Sequence, residues 1–220
     1  MSLEVIEFES APNPTASIII LHGLGADGND FVPIAQELNL ASVGPVRFVF
    51  PSAPTRPVTI NGGYLMRAWY DILGTEVARR EDEAGLRASQ AQIEALIANE
   101  RARGIAANRI VLAGFSQGCA MTFMAGLRHG ERLAGLLGMS GYLPLADLTA
   151  TERSAANADV PIFQAHGSAD PMITMARATA SRDALIALGY PVEWHAYPMP
   201  HSVCPQEIVD MNRWLLRVLA

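Results

Sequence analysis

Residues 109–118 read R-I-V-L-A-G-F-S-Q-G, and residues 119–129 continue C-A-M-T-F-M-A-G-L-R-H. Arg109 to Ala113 is a compact apolar run suited to a central strand, and the stretch near 117–129 reads as a buried helix. Between them a G-x-S-x-G pattern stands where a strand must turn sharply into a helix. Glycines at 114 and 118 remove the Cβ atoms that would collide with backbone in so tight a turn. Ser116 then carries its hydroxyl away from the sheet, beside the free N–H groups of the first helical turn. A plain helix-start turn with Ser116 as its cap is the simpler alternative. The strand before and the helix after favour a nucleophile.

Working outward, short β-branched runs alternate with longer helical patterns. Leu3 to Phe8 alternates apolar and acidic residues, as a half-buried edge strand does. Ser17 to Leu21, Val46 to Phe50, Ala134 to Met139 and Val160 to Ala165 suit further central strands, and Val192 to Tyr197 is a shorter one. Helical stretches lie near 30–40, 82–103, 174–188 and 205–219, the last with Ile208, Met211, Leu215 and Val218 on one face. Gly104 and Gly189 stand where helix C-caps belong. Such alternation predicts an α/β fold, a mostly parallel twisted sheet with helices on both faces, in a single domain over residues 1–220. Pro51 to Trp69, with prolines at 51, 54 and 57 and a Gly62-Gly63 pair, reads as a long irregular loop of functional interest. The short segment between Met139 and Val160 leaves no room for a lid domain.

Composition removes several classes of function. Of 220 residues, 50% are hydrophobic and 17% charged, so a substantial core is available and disorder is not expected. A net charge of −6 argues against nucleic acid as a partner, because phosphate recognition needs a basic face. All basic residues are arginines; the absence of lysine excludes Schiff-base chemistry, a Walker A lysine and a Ser-Lys dyad. Cys119 and Cys204 are too few for a disulfide framework and read as free thiols in a reducing compartment. An acidic, alternating N-terminus and apolar runs far shorter than a bilayer point to a soluble, cytoplasmic protein without integral membrane association.

A serine nucleophile needs a base, and the base an orienting acid, which in a strand–turn–helix setting follow in the order Ser, Asp or Glu, His. Of the histidines after Ser116, His129 ends a helix among charged residues, His195 lies within a strand pattern, and His166 precedes every nearby acid. His201, in the proline-fixed P-M-P-H-S loop after the last strand, is best placed to act as base. Asp170, in H-G-S-A-D-P directly after the strand Val160 to Ala165, leads as the acid; its simpler role is an Asx turn before the next helix. Donors for an oxyanion are expected from the amide of Gln117 and from the glycine-rich loop 21–28, with Leu24 as the second donor. That loop also contains Gly23-x-Gly25-x-x-Gly28, a partial dinucleotide fingerprint that keeps nucleotide binding as an alternative.

L-H-G-L-G-A-D-G at 21–28, P-S-A-P at 51–54, W-Y-D at 69–71, G-F-S-Q-G at 114–118, H-G-S-A-D-P at 166–171 and P-H-S-V at 200–203 occur in that order. Together they resemble the carboxylesterase and acyl-protein thioesterase branch of the α/β-hydrolases, over nearly the whole chain. The resemblance implies Ser116 as nucleophile, Asp170 as acid, His201 as base, and Leu24 and Gln117 amides as the oxyanion hole, with neither metal nor cofactor. It further implies an ester or thioester substrate carrying an acyl chain, of which a lysophospholipid or an S-acylated protein is an example. Where the family usually has G-F-S-Q-G-G, this chain has Cys119 at the last position, a larger residue expected to narrow the site. Ile60, Leu65, Met66 and Trp69 of the long loop and Met172 beside the acid are candidates for the acyl-binding wall, with Tyr64 and Met199 near them. Trp69 is taken as pocket-lining and Asp71 as structural. An apolar rim makes a homodimer compatible with the sequence. A non-catalytic small-molecule-binding domain that keeps the elbow only as a turn is the alternative of another class.

Overall fold

A computed structural model describes residues 3–74 and 81–220. Seven strands form one sheet in the order β1-β3-β2-β6-β7-β8-β9. These are β1 (Glu4–Glu9), β2 (Ala16–Leu21), β3 (Val46–Ser52), β6 (Ile110–Phe115), β7 (Gly135–Met139), β8 (Ile162–Gly167) and β9 (Val192–Tyr197). Only β1 is antiparallel, pairing with β3 from Glu4 opposite Ser52 to Glu9 opposite Arg47; all other pairs are parallel. The sheet is covered on both faces, as the alternating strand and helix patterns predict. Its central strands are almost wholly buried and mainly apolar because successive side chains enter different cores. Ile19 and Leu21 join the core beneath α2 (Glu83–Ala102) and α3 (Gln117–Gly126), and Ile18 and Ile20 join the one beneath α6 (Pro205–Val218).

The chain moves from β2 outward to β3 and then crosses back to β6, so β2 and β6 are neighbours from which the order runs in opposite directions. The loops leaving the carboxyl ends of those two strands flank the crevice where a parallel sheet of this kind receives a ligand. Gly104 and Gly189, at φ 94° and 89°, follow α2 and α5 (Met175–Ala187) as the left-handed caps expected of them. The helix expected near 30–40 is shorter, α1 (Val32–Glu37).

Residues 51–69 are not irregular. Within them β4 (Thr55–Val58) and β5 (Tyr64–Arg67) form an antiparallel hairpin, Thr55 opposite Arg67 and Val58 opposite Tyr64. Gly62 and Gly63 supply the positive φ values of 67° and 80° that turn the chain. Pro57 hides the pattern from the sequence, but a two-stranded ribbon is all edge, where a missing N–H is tolerated. Asp71 anchors the hairpin by accepting from the Thr59 amide at 2.7 Å and the Thr59 hydroxyl at 2.5 Å. Between β7 and β8 lie only the short helix α4 (Ala146–Glu152) and a single 3₁₀ turn at Ala155–Asn157, not a lid domain.

One buried acid makes stability depend on pH. Glu207, in the first turn of α6, is fully buried and neither carboxyl oxygen makes a hydrogen bond. Burial pushes its acid up to about 8. The folded chain therefore keeps a proton that the unfolded chain releases above about 4.5. Stability falls as pH rises between these values and levels off beyond, by about 5 kcal/mol in the limit. Thermal unfolding of Glu207→Gln against the parent is expected to show a gain in Tm that grows from about pH 5 to pH 8.5. A gain of equal size at every pH would contradict this account.

Candidate active site

The elbow is built as its glycines require. Ser116, between β6 and α3, has φ 56° and ψ −115°, a strained conformation for a residue with a side chain. A Cβ on Gly114 would lie 2.2 Å from the Gly118 carbonyl oxygen, and one on Gly118 would lie 2.0 Å from that of Leu21. The Ser116 amide donates to the Met139 carbonyl at 2.9 Å and so ties the turn to β7. The Gln117 amide, at the first helical position, has no intrahelical acceptor.

The loops carrying the acid and the base are stitched to each other. After β8, the amides of Ser168 and Ala169 donate to the carbonyls of Tyr197 and Met199 at 2.7 and 3.1 Å. Gly167 permits this closeness, since a Cβ there would lie 2.4 Å from the carbonyl oxygens of both Met199 and Pro200. His201 Nδ1–H donates to Asp170 Oδ2 at 2.6 Å, while Oδ1 accepts from the amides of Met172 and Ile173 at 2.8 and 3.0 Å. One carboxylate thus serves both as the Asx turn and as the histidine's partner. Its side chain is fully buried, whereas that of His201 keeps 18% of its exposure. The imidazole packs against the Phe115 ring at 4.7 Å between centroids. His166 donates its Nε2–H to the Ile173 carbonyl at 2.8 Å and lies behind Asp170, with Nε2 3.5 Å from Oδ2.

A cavity of about 390 Å³ opens at this point, and Ser116, Gln117, Leu24 and His201 all line it. Sequence reasoning placed Leu24 correctly in the loop after β2 but missed what holds that loop. His22 is buried; its Nε2 accepts from the Ala53 amide at 2.9 Å, so the ring proton sits on Nδ1 and donates to the Gly23 carbonyl at 2.6 Å. Burial lowers the pKa of His22 and so favours the neutral ring that this pairing needs. The His22 carbonyl accepts from Trp69 Nε1–H at 2.9 Å, and the Gly25 amide donates to the Arg67 carbonyl at 2.9 Å. Among the described residues no acceptor takes the Leu24 amide. The partial Gly23-x-Gly25-x-x-Gly28 fingerprint does not open a helix, because α1 begins only at Val32. Gly28 instead lets the loop pass β3, where a Cβ would lie 2.5 Å from the Phe50 carbonyl oxygen.

Of the candidates for the acyl wall, Ile60 and Met172 line the cavity, and both are exposed at its rim. Leu65, Met66 and Trp69 do not. Leu65 is 64% exposed on the hairpin, and Met66 packs near Gly25. Trp69 is wholly in the core, where its indole N–H finds a backbone acceptor, so it holds the loop after β2 instead of lining the pocket. Met199 is also a core residue, and Tyr64 is exposed on β5.

The Gln117 side chain, unremarked in the sequence, clamps residues 69–70: Oε1 accepts from the Trp69 amide at 3.1 Å and Nε2 donates to the Tyr70 carbonyl at 2.9 Å. Nor does Cys119 narrow the site. It is fully buried behind the elbow, in space left by Gly138 and Gly141, where added Cβ atoms would lie 2.7 and 2.5 Å from its sulfur. Burial raises its thiol pKa well above the ordinary range, which leaves no thiolate for catalysis.

Residues 2–219 match the phospholipase/carboxylesterase family. The acyl-protein thioesterase 1 of Yarrowia lipolytica is 40% identical over 206 residues, covering 91% of each chain. That of Mycosarcoma maydis is 40% identical over 230 residues, covering 98% of this chain and 96% of its own. Among solved structures, acyl-protein thioesterase 2 of Zea mays superposes with a TM-score of 0.88 at 28% identity over 99% of both chains. SOBER1 of Arabidopsis thaliana gives 0.88 at 29% identity, over 93% of this chain and 99% of its own. The chain belongs to the phospholipase/carboxylesterase family and is a hydrolase of the α/β-hydrolase fold.

Proposed function

We propose that this hydrolase cleaves carboxylic esters and thioesters of acyl chains through an acyl-enzyme on Ser116. The observation that carries the reading is the Asp170–His201 hydrogen bond of 2.6 Å at the wall of the cavity that Ser116 also lines. With Nδ1–H engaged by Asp170, Nε2 of the neutral imidazole is the atom left to accept a proton. His201 takes the Ser116 proton as Oγ attacks the acyl carbonyl. The Leu24 and Gln117 amides receive the oxyanion. The imidazolium returns the proton to the departing alkoxide or thiolate, and a water activated by His201 then releases the acid and restores Ser116.

An apolar wall and an opening without a lid suit an acyl tail joined to a bulky leaving group. The relatives named acyl-protein thioesterases favour an S-acylated protein among such substrates. No helix among the described residues is long and apolar enough to cross a membrane, and a cytoplasmic setting with reduced thiols accords with two free cysteines. Parallel assays of an acyl ester and the matching acyl thioester test this reading. Turnover of both, lost from both in Ser116→Ala, is expected. Binding of either without turnover would favour the non-catalytic binding domain.

A further inference from the structure

The inner end of the cavity is closed by two tyrosines from different parts of the chain. Tyr70 and Tyr142 are 3% and 4% exposed, and their hydroxyls are 2.6 Å apart. The rim residues Ile60 and Met172 are open to solvent, whereas the tyrosine pair, with Ile72, lines both this cavity and a second space beyond it and so forms the floor between them. Behind it lies a space of about 10 Å³, walled by the same two tyrosines with the apolar Ile72 and Leu73 and the acidic Asp71, Glu81 and Asp82. That is scarcely room for one water, too little to admit the methyl terminus of an acyl chain.

Each tyrosine is held from the nucleophile elbow. The Gln117 side chain grips the Trp69 amide and the Tyr70 carbonyl. The Tyr142 backbone N–H donates to the sulfur of Cys119, two positions further along α3. The Arg177 guanidinium lies 3.3 Å above the Tyr142 ring centroid and packs against its face.

We infer that the Tyr70–Tyr142 pair is the chain-length stop of the acyl site and makes the enzyme selective for medium-length acyl groups. The inference rests on the acyl-hydrolase reading above. At ~30 Å³ for each water-sized group, the cavity of about 390 Å³ holds about a dozen non-hydrogen atoms, which leaves about eight for the acyl chain once the ester head is seated. A longer chain meets the phenol pair and has to turn back toward the rim.

The test is hydrolysis of p-nitrophenyl esters from acetate to palmitate by the parent, Tyr142→Ala and Tyr142→Leu, with Ser116→Ala as the control for dependence on the nucleophile. In the parent, kcat/KM is expected to peak near the octanoate. In Tyr142→Ala, the ratio of kcat/KM for dodecanoate to that for hexanoate is expected to rise about tenfold or more, since each newly housed methylene contributes about fourfold. Tyr142→Leu, which keeps apolar bulk, shifts the ratio in the same direction by less, and decides the matter if the alanine variant does not fold. Equal losses at every chain length, with the ratio unchanged, would overturn the stop and leave the hydrolase reading intact. A parent optimum at palmitate would do the same. Turnover that survives in Ser116→Ala would overturn the hydrolase reading itself.

Discussion

His201→Ala is expected to lower kcat by about 10⁴- to 10⁶-fold while leaving the fold in place. His201 is partly exposed, and its ring contacts are to Phe115 and Asp170, so its loss removes little packing. Its chemistry has no substitute nearby. His166 is turned to the Ile173 carbonyl, and His22 is neutral and spent on Gly23 and Ala53. What survives is the contribution of the two oxyanion amides and of substrate binding. Combining the change with Ser116→Ala is expected to cost hardly more than either alone, because the pair acts as a unit. Steady-state kinetics with a thermal-unfolding control measures this, and a loss of less than tenfold would remove His201 from the role of base.

Asp170→Asn is the second large effect, about 10⁴-fold in kcat with KM little changed. The substitution preserves the turn, since an amide oxygen still accepts from the Met172 and Ile173 amides as Oδ1 does now. It places an NH₂ group against His201 Nδ1–H, and two donors then face each other at a separation of 2.6 Å in the parent. The imidazole escapes by moving its proton to Nε2, where it can no longer accept from Ser116. Asp170→Ala is expected to lose comparable activity and stability as well, because the Met172 and Ile173 amides lose their acceptor, at about 1–3 kcal/mol for the buried Ile173 amide. Similar melting temperatures for the two variants would contradict the double role assigned to this carboxylate.

The contrast between these residues and the acyl wall shows where sequence is informative. The placing of Ser116, Asp170 and His201 at one end of the sheet was legible because each follows a strand, and a parallel sheet brings the carboxyl ends of its strands to one side. The loop lengths then leave little choice of direction. Leu24 followed from the same rule applied to β2. The wall was not legible, because it depends on how residues 51–74 fold back over the sheet. Pro57 and the Gly62-Gly63 pair masked a hairpin as a loop. Trp69 had the apolar character of a pocket residue, but its indole N–H found the His22 carbonyl in the core. His22, Gln117 and Cys119 act through backbone groups of segments far away in sequence, and no local pattern announces such a bond. Tyr70 and Tyr142 are 72 positions apart, so only the folded chain brings their hydroxyls together.

Covalent labelling with a fluorophosphonate, read by intact mass and peptide mapping, tests the acyl-enzyme on Ser116 most directly. One adduct per chain, on Ser116, is predicted, with ester turnover falling in proportion to labelling and no adduct on Ser116→Ala. An adduct on any other residue, or turnover that persists in the fully labelled protein, would contradict the account.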